Sequence, residues 1–146
     1  MVAPRKPTST ASMPPLARPS LVATVILAWL FPGAGHFLQG QSGKALVFGA
    51  MLLPMYLCGV AFGGTLFGFQ GVEPLMLLAA GAQWMMGATR VVVGWAGYGM
   101  GDVVAASYEY GNTFLIVSGL LNVLVMLDAA DVARGRKPVA GSEAAA

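Results

Sequence analysis

Five side chains combine charge or a titratable ring with an apolar setting: His36, Lys44, Arg90, Asp102 and Glu109. Arg90 lies inside a long apolar run. A guanidinium at mid-bilayer costs at least about 2.5 kcal/mol on insertion scales, so such residues point inward and find a partner. Glu109 is the first expected partner and Asp102 the second. Such a pair would serve either as a structural lock or as part of a polar path. His36 is the only histidine. Its reference pKa near 6.5 suits a proton carrier or a ligand, but a single histidine beside a helix end more commonly acts as a hydrogen-bonding interface residue. Cys58 is the only cysteine, so no intramolecular disulfide is available and the usual zinc and CxxC spacings are absent. No cofactor or metal is expected.

Two further motifs lack the chemistry they would need. Gly99-Met100-Gly101-Asp102 spells the GxGD string of intramembrane aspartyl proteases. That reaction requires two carboxyls in one site, one protonated and one ionised, and no second aspartate occurs in an upstream span. Gly43-Lys44 lacks both the following Ser or Thr and the leading glycine of a phosphate loop. Asp128 and Asp131 lie one helical turn apart, with Arg134 a further turn on, a spacing suited to ordinary ion pairing. Ser118 and Asn122, at i and i+4, are expected to hydrogen-bond across helices. With no nucleophile, base or metal constellation, the expectation is a protein that is not an enzyme.

These residues must be positioned by membrane helices. Of 146 residues 57% are hydrophobic and 10% charged, against about 25% charged in soluble domains. No charge occurs from Pro19 to Gly43, from Ala45 to Val72 or from Tyr110 to Leu127; about 20 apolar residues cross a bilayer. The expected fold is an all-α integral membrane bundle of four transmembrane helices, spanning about 21–38, 45–67, 74–97 and 111–127. A flexible tail is expected at 1–20, and a basic, then flexible tail at 134–146. The alternative is three spans plus a re-entrant first segment that turns back at Pro32-Gly33, leaving the tails on opposite sides. The first apolar core is short enough to mimic a signal peptide, but the run continues past Pro32 and the leader is proline-rich, so cleavage is not expected.

Six of the eight Lys and Arg residues (Arg5, Lys6, Arg18, Arg134, Arg136, Lys137) lie in the tails, which places both termini in the cytoplasm by the positive-inside rule. The basicity is thus a topology signal; no nucleic-acid partner is implied. With four spans, His36, Gln39, Gln41, Lys44, Asp102 and Glu109 gather on the non-cytoplasmic side, with Arg90 nearby. Gln83, Gly87, Arg90 and Gly94 follow the i, i+4, i+7, i+11 rule and are expected to form one polar and small stripe on the third span, facing other helices instead of lipid.

Phe31-Pro32-Gly33-Ala34-Gly35-His36-Phe37-Leu38-Gln39-Gly40, followed by Gly43-Lys44-Ala45, resembles the Pro-Gly-x-Gly hairpin of small bacterial membrane proteins of unknown function. It is also similar to the first half of the two-transmembrane domain class, and Leu127-Asp128-Ala129-Ala130-Asp131 with Arg134-Gly135-Arg136 resembles the ending of the same proteins. His36 and Phe37 stand where related turns often carry Gln and Tyr. The hairpin residues singled out are Pro32, Gly33, Gly35 and Gly40. The resemblance implies a bacterial inner-membrane location and no chemistry. Glycines four apart (Gly59 and Gly63, Gly64 and Gly68, Gly97 and Gly101) suit close helix packing. The leading expectation is a scaffold or accessory subunit packing against a membrane-protein partner or a second copy. The alternative is a small transporter or channel component using Arg90 with Glu109 or Asp102.

Overall fold

A computed structural model describes residues 19–70 and 73–137; the tails expected at 1–20 and 134–146 lie mostly outside them. Six helices follow in order: α1 (Leu21–Leu30), α2 (Ala34–Leu38), α3 (Ser42–Ala61), α4 (Pro74–Trp84), α5 (Ala88–Trp95) and α6 (Tyr108–Ala133). Among the described residues the only β pairing is an isolated bridge between Thr65 and Met100.

Two helices are long and apolar enough to cross a membrane, α3 with 20 residues and α6 with 26. At 1.5 Å per residue they measure about 30 and 39 Å. They run antiparallel. Near one end Gly59 of α3 meets Gly111 and Leu115 of α6; near the other, Lys44 meets Asp128. Pro54 lies inside α3, which a membrane helix tolerates when neighbours re-satisfy the freed carbonyl.

The first and third expected spans are not continuous helices. In the first, Ser20 caps α1 by accepting a hydrogen bond from Ala23 N at 3.2 Å. The helix stops after ten residues because Phe31 precedes Pro32 and is extended, at φ −136° and ψ 127°. Gly33, at φ 86°, then reverses the chain into α2. A Cβ at Gly33 would stand 2.4 Å from Ala45 O, so both its conformation and its close packing require glycine.

The third expected span breaks the same way. Pro74 starts α4 at a position where its missing N–H costs nothing. Gly87, at φ 49° and ψ −118°, then separates α4 from α5, whose axes differ by 103°. The expected Gln83–Gly94 stripe on one straight helix is therefore replaced by a fold-back. Counted as one span, the bent pair would give a third crossing by length and composition. The contacts show where the chain goes: it leaves α3 beside the start of α6 and returns there, with Leu66 N donating to Gly99 O at 2.8 Å and Asp102 N to Gly63 O at 2.9 Å.

The chain thus follows one plan twice: a helix of about half-membrane length, a three-residue break ending in a positive-φ glycine, a short helix, then a long helix. The first hairpin starts and ends near the C-terminal end of α6, and the second near its N-terminal end. The apolar core lies where the second hairpin meets α3 and α6, around Tyr56, Met86, Val93 and Leu115.

Candidate functional site

The expected five-residue polar cluster does not assemble; its members divide among three places. His36 and Lys44 stand at the C-terminal end of α6, around Asp128. Asp102 and Glu109 lie near its N-terminal end, both exposed. Asp102 shapes a turn there by accepting from Val104 N at 3.2 Å. Arg90 is buried inside the second hairpin and meets neither acid.

Arg90 is instead held by neutral groups. It donates to Phe67 O and to Gln83 Oε1, the latter at 3.3 Å, and its guanidinium lies 4.9 Å from the centre of the Trp84 ring. Gln83 accepts from Phe67 N at 2.9 Å and donates to Thr65 O at 2.9 Å. One guanidinium and one amide therefore tie α4, α5 and the 65–67 loop into a unit, supplying donors and acceptors to backbone that no helix satisfies. This is a structural clamp, and its buried hydrogen bonds are costly to leave unmade.

The two hairpins meet halfway along α6. Asn122, fully buried, donates through Nδ2 to Ala28 O of the first hairpin at 3.2 Å and to Met85 O of the second at 2.7 Å. The cross-helix role expected of Asn122 is present. Ser118 differs, donating to Leu115 O of its own helix. Trp29 Nε1 donates to Trp84 O at 3.0 Å, joining the hairpins directly. A Cβ at Gly87 would fall 2.2 Å from Trp29 O, and one at Gly119 1.8 Å from Ala82 O. Nothing larger than glycine fits the junction without movement.

The charged end is a second constellation. Asp128 Oδ2 lies 3.5 Å from His36 Nε2 and 3.7 Å from Lys44 Nζ, while Oδ1 pairs with Lys137. The hydrogen bond from Lys137 to Asp128, and then the carboxylate's charge, hold the lysine pKa above its usual range. Gln39 Nε2 donates to Ala129 O at 2.7 Å, fixing α2 against α6. His36 is fully buried, packs against Phe48 with ring centroids 5.1 Å apart and planes tilted by 33°, and has no hydrogen-bond partner for either ring nitrogen. Asp131 pairs with Arg136 at 3.7 Å. Among the described residues no group of three or more His, Cys, Asp or Glu could hold a metal.

Sequence reasoning missed Asp128 as the partner of His36 and Lys44, and Gln83 as the partner of Arg90. A signal for the second case was present. Gly33-Ala34-Gly35-His36 with Gly40, and Gly87-Ala88-Thr89-Arg90 with Gly94, are two copies of Gly-Ala-x-basic followed by glycine four residues on. They mark the two hairpin breaks and place a basic side chain just beyond each.

Among the described residues this is an all-α membrane protein, with two helices of crossing length, or up to three spans if the bent α4–α5 pair counts as one. The chain belongs to a family of unknown function (DUF6677), whose model matches residues 23–138. No curated protein matches the chain, and no solved structure does.

Proposed function

We propose that this chain is a non-enzymatic scaffold or accessory subunit of a bacterial cytoplasmic membrane, with two crossings and both termini in the cytoplasm. Support for the orientation comes from Lys44, which joins Arg134, Arg136 and Lys137 at one end, while the opposite end presents Asp102 and Glu109. His36 and Lys44 then belong to the cytoplasmic side, reversing the sidedness inferred from four spans.

The observation that carries the scaffold reading is the use made of the interior polar groups. Asn122, Gln83, Arg90 and Gln39 all bind the chain's own backbone, and the acid partners that a polar path through Arg90 would need are elsewhere. Large apolar side chains such as Leu75, Trp95 and Val104 face outward. Of the glycine pairs, Gly59 and Gly64 pack internally against Gly111, while Gly97 has open space beside it.

One observation favours transport as a second reading: half-length hairpins that enter from opposite ends and meet at mid-depth are the plan of inverted-repeat transporters. Purification in mild detergent, combined with ion and small-solute flux in liposomes, separates the two. The scaffold reading expects a stable co-purifying membrane protein, or a defined oligomer, and flux equal to empty liposomes. Gradient-driven flux by the purified chain would overturn it in favour of transport.

A further inference from the structure

We infer that the groove between α3 and α6 holds an anionic phospholipid, with an acyl chain along the groove and the phosphate at Lys44 and Lys137. This rests on the membrane placement proposed above and not on the scaffold role. The groove has a volume of about 690 Å³ and is walled by Phe48, Leu52 and Met55 of α3 and Leu121 and Val125 of α6, with Asp128 at its end. It lies on the outer face of the two crossing helices, where lipid chains are the surrounding solvent.

Charge at the end of the groove selects the headgroup. Asp128 is a single negative charge faced by Lys44 and Lys137. Arg134 follows within the next two turns of chain, and Arg136 is offset by Asp131. This leaves an excess of positive charge at the aqueous boundary. Both lysines are partly exposed, at 37% and 51% of the side chain, so each can turn an N–H outward to a phosphate oxygen. His36, fully buried behind Phe48, faces the same carboxylate, with Nε2 3.5 Å from Asp128 Oδ2, and so draws part of the Asp128 charge away from the groove. A basic pocket between membrane helices on the cytoplasmic side is a recognised setting for anionic headgroups. A zwitterionic lipid would fill the apolar length equally well but would bring its own cation to an already cationic end.

The test uses the full chain in mild detergent. It is titrated with phosphatidylglycerol or phosphatidylcholine of identical chains, and retained lipid is counted by native mass spectrometry. Phosphatidylglycerol should be retained about tenfold more tightly, given the strength of each lysine near an anionic lipid. Lys44→Gln with Lys137→Gln should abolish that preference while leaving the thermal transition near wild type. Val125→Phe, which fills the groove, should weaken both lipids together. Water-soluble glycerol phosphate should compete poorly, because it lacks the chain. Equal retention of the two lipids would overturn the inference, as would a preference that survives the double substitution or full competition by glycerol phosphate. Orientation and partners play no part in this measurement, so its failure would leave the scaffold reading standing.

Discussion

The two hairpins share a plan and differ in how they are held. The first, α1–α2, is closed by shape. A Cβ at Gly35 would lie 2.7 Å from Thr24 O, 2.8 Å from the Ala28 Cβ and 3.2 Å from the Ala129 Cβ, so three small residues let α1, α2 and α6 touch. The second, α4–α5, is closed by polarity: Arg90, Gln83 and the backbone of residues 65–67 bind one another beneath the Trp84 ring. Because hydrocarbon offers no water to satisfy exposed backbone, a broken helix there needs either close self-packing or a side chain that replaces the missing donors. This molecule uses one solution in each half.

The substitution expected to have the largest effect strikes where the two hairpins touch. Gly87→Ala adds a Cβ against Trp29 O at a backbone conformation suited to glycine. It should cost about 3 kcal/mol or more, lowering the thermal transition in detergent and raising amide exchange in both hairpins.

Next, Gly35→Ala should cost about 2 kcal/mol by overpacking and should raise exchange in α1 and α2 while sparing α4 and α5. Equal exposure of both hairpins would erase the distinction. Arg90→Leu leaves Phe67 O without its guanidinium donor, at about 1–3 kcal/mol, and should loosen α4, α5 and the 65–67 loop with the first hairpin unchanged. Arg90→Lys should recover part of this, since one ammonium cannot reproduce the planar fork. The smallest effect should come from Asn122→Ala, about 1 kcal/mol given the modest strength of interhelical hydrogen bonds in membranes, but it should loosen both hairpins together.

Some of this was legible in the sequence. Charge-free runs declared a membrane protein, Pro32-Gly33 declared a reversal, and Asn122 declared a cross-helix bond. The break at Met85–Gly87 was not legible, because hydropathy is the same for twenty apolar residues in one helix or in two half-length ones. A first segment turning back at Pro32-Gly33 was the alternative expectation, with three spans and opposed tails. In the structure two helices are of crossing length, or up to three spans if the bent α4–α5 pair counts as one, and the chain leaves α3 and returns to α6 at the same end through the Leu66–Gly99 and Gly63–Asp102 hydrogen bonds. Arg90 misled for a different reason: an arginine can be satisfied by carbonyl and amide oxygens as well as by a carboxylate, and no charge pattern reveals that. The side expected for His36 and Lys44 depended entirely on the number of spans, and the two-crossing proposal places them on the other one.

Cysteine accessibility in sealed vesicles of known orientation tests the two-crossing account most directly. In a Cys58→Ser background, single cysteines at Ser42→Cys, Gln70→Cys and Ser142→Cys are probed with a membrane-impermeant thiol reagent. The account predicts that positions 42 and 142 label from the same side and position 70 from the opposite side. Labelling of 70 and 142 from one side, with 42 on the other, is the pattern that four full spans require and would contradict it.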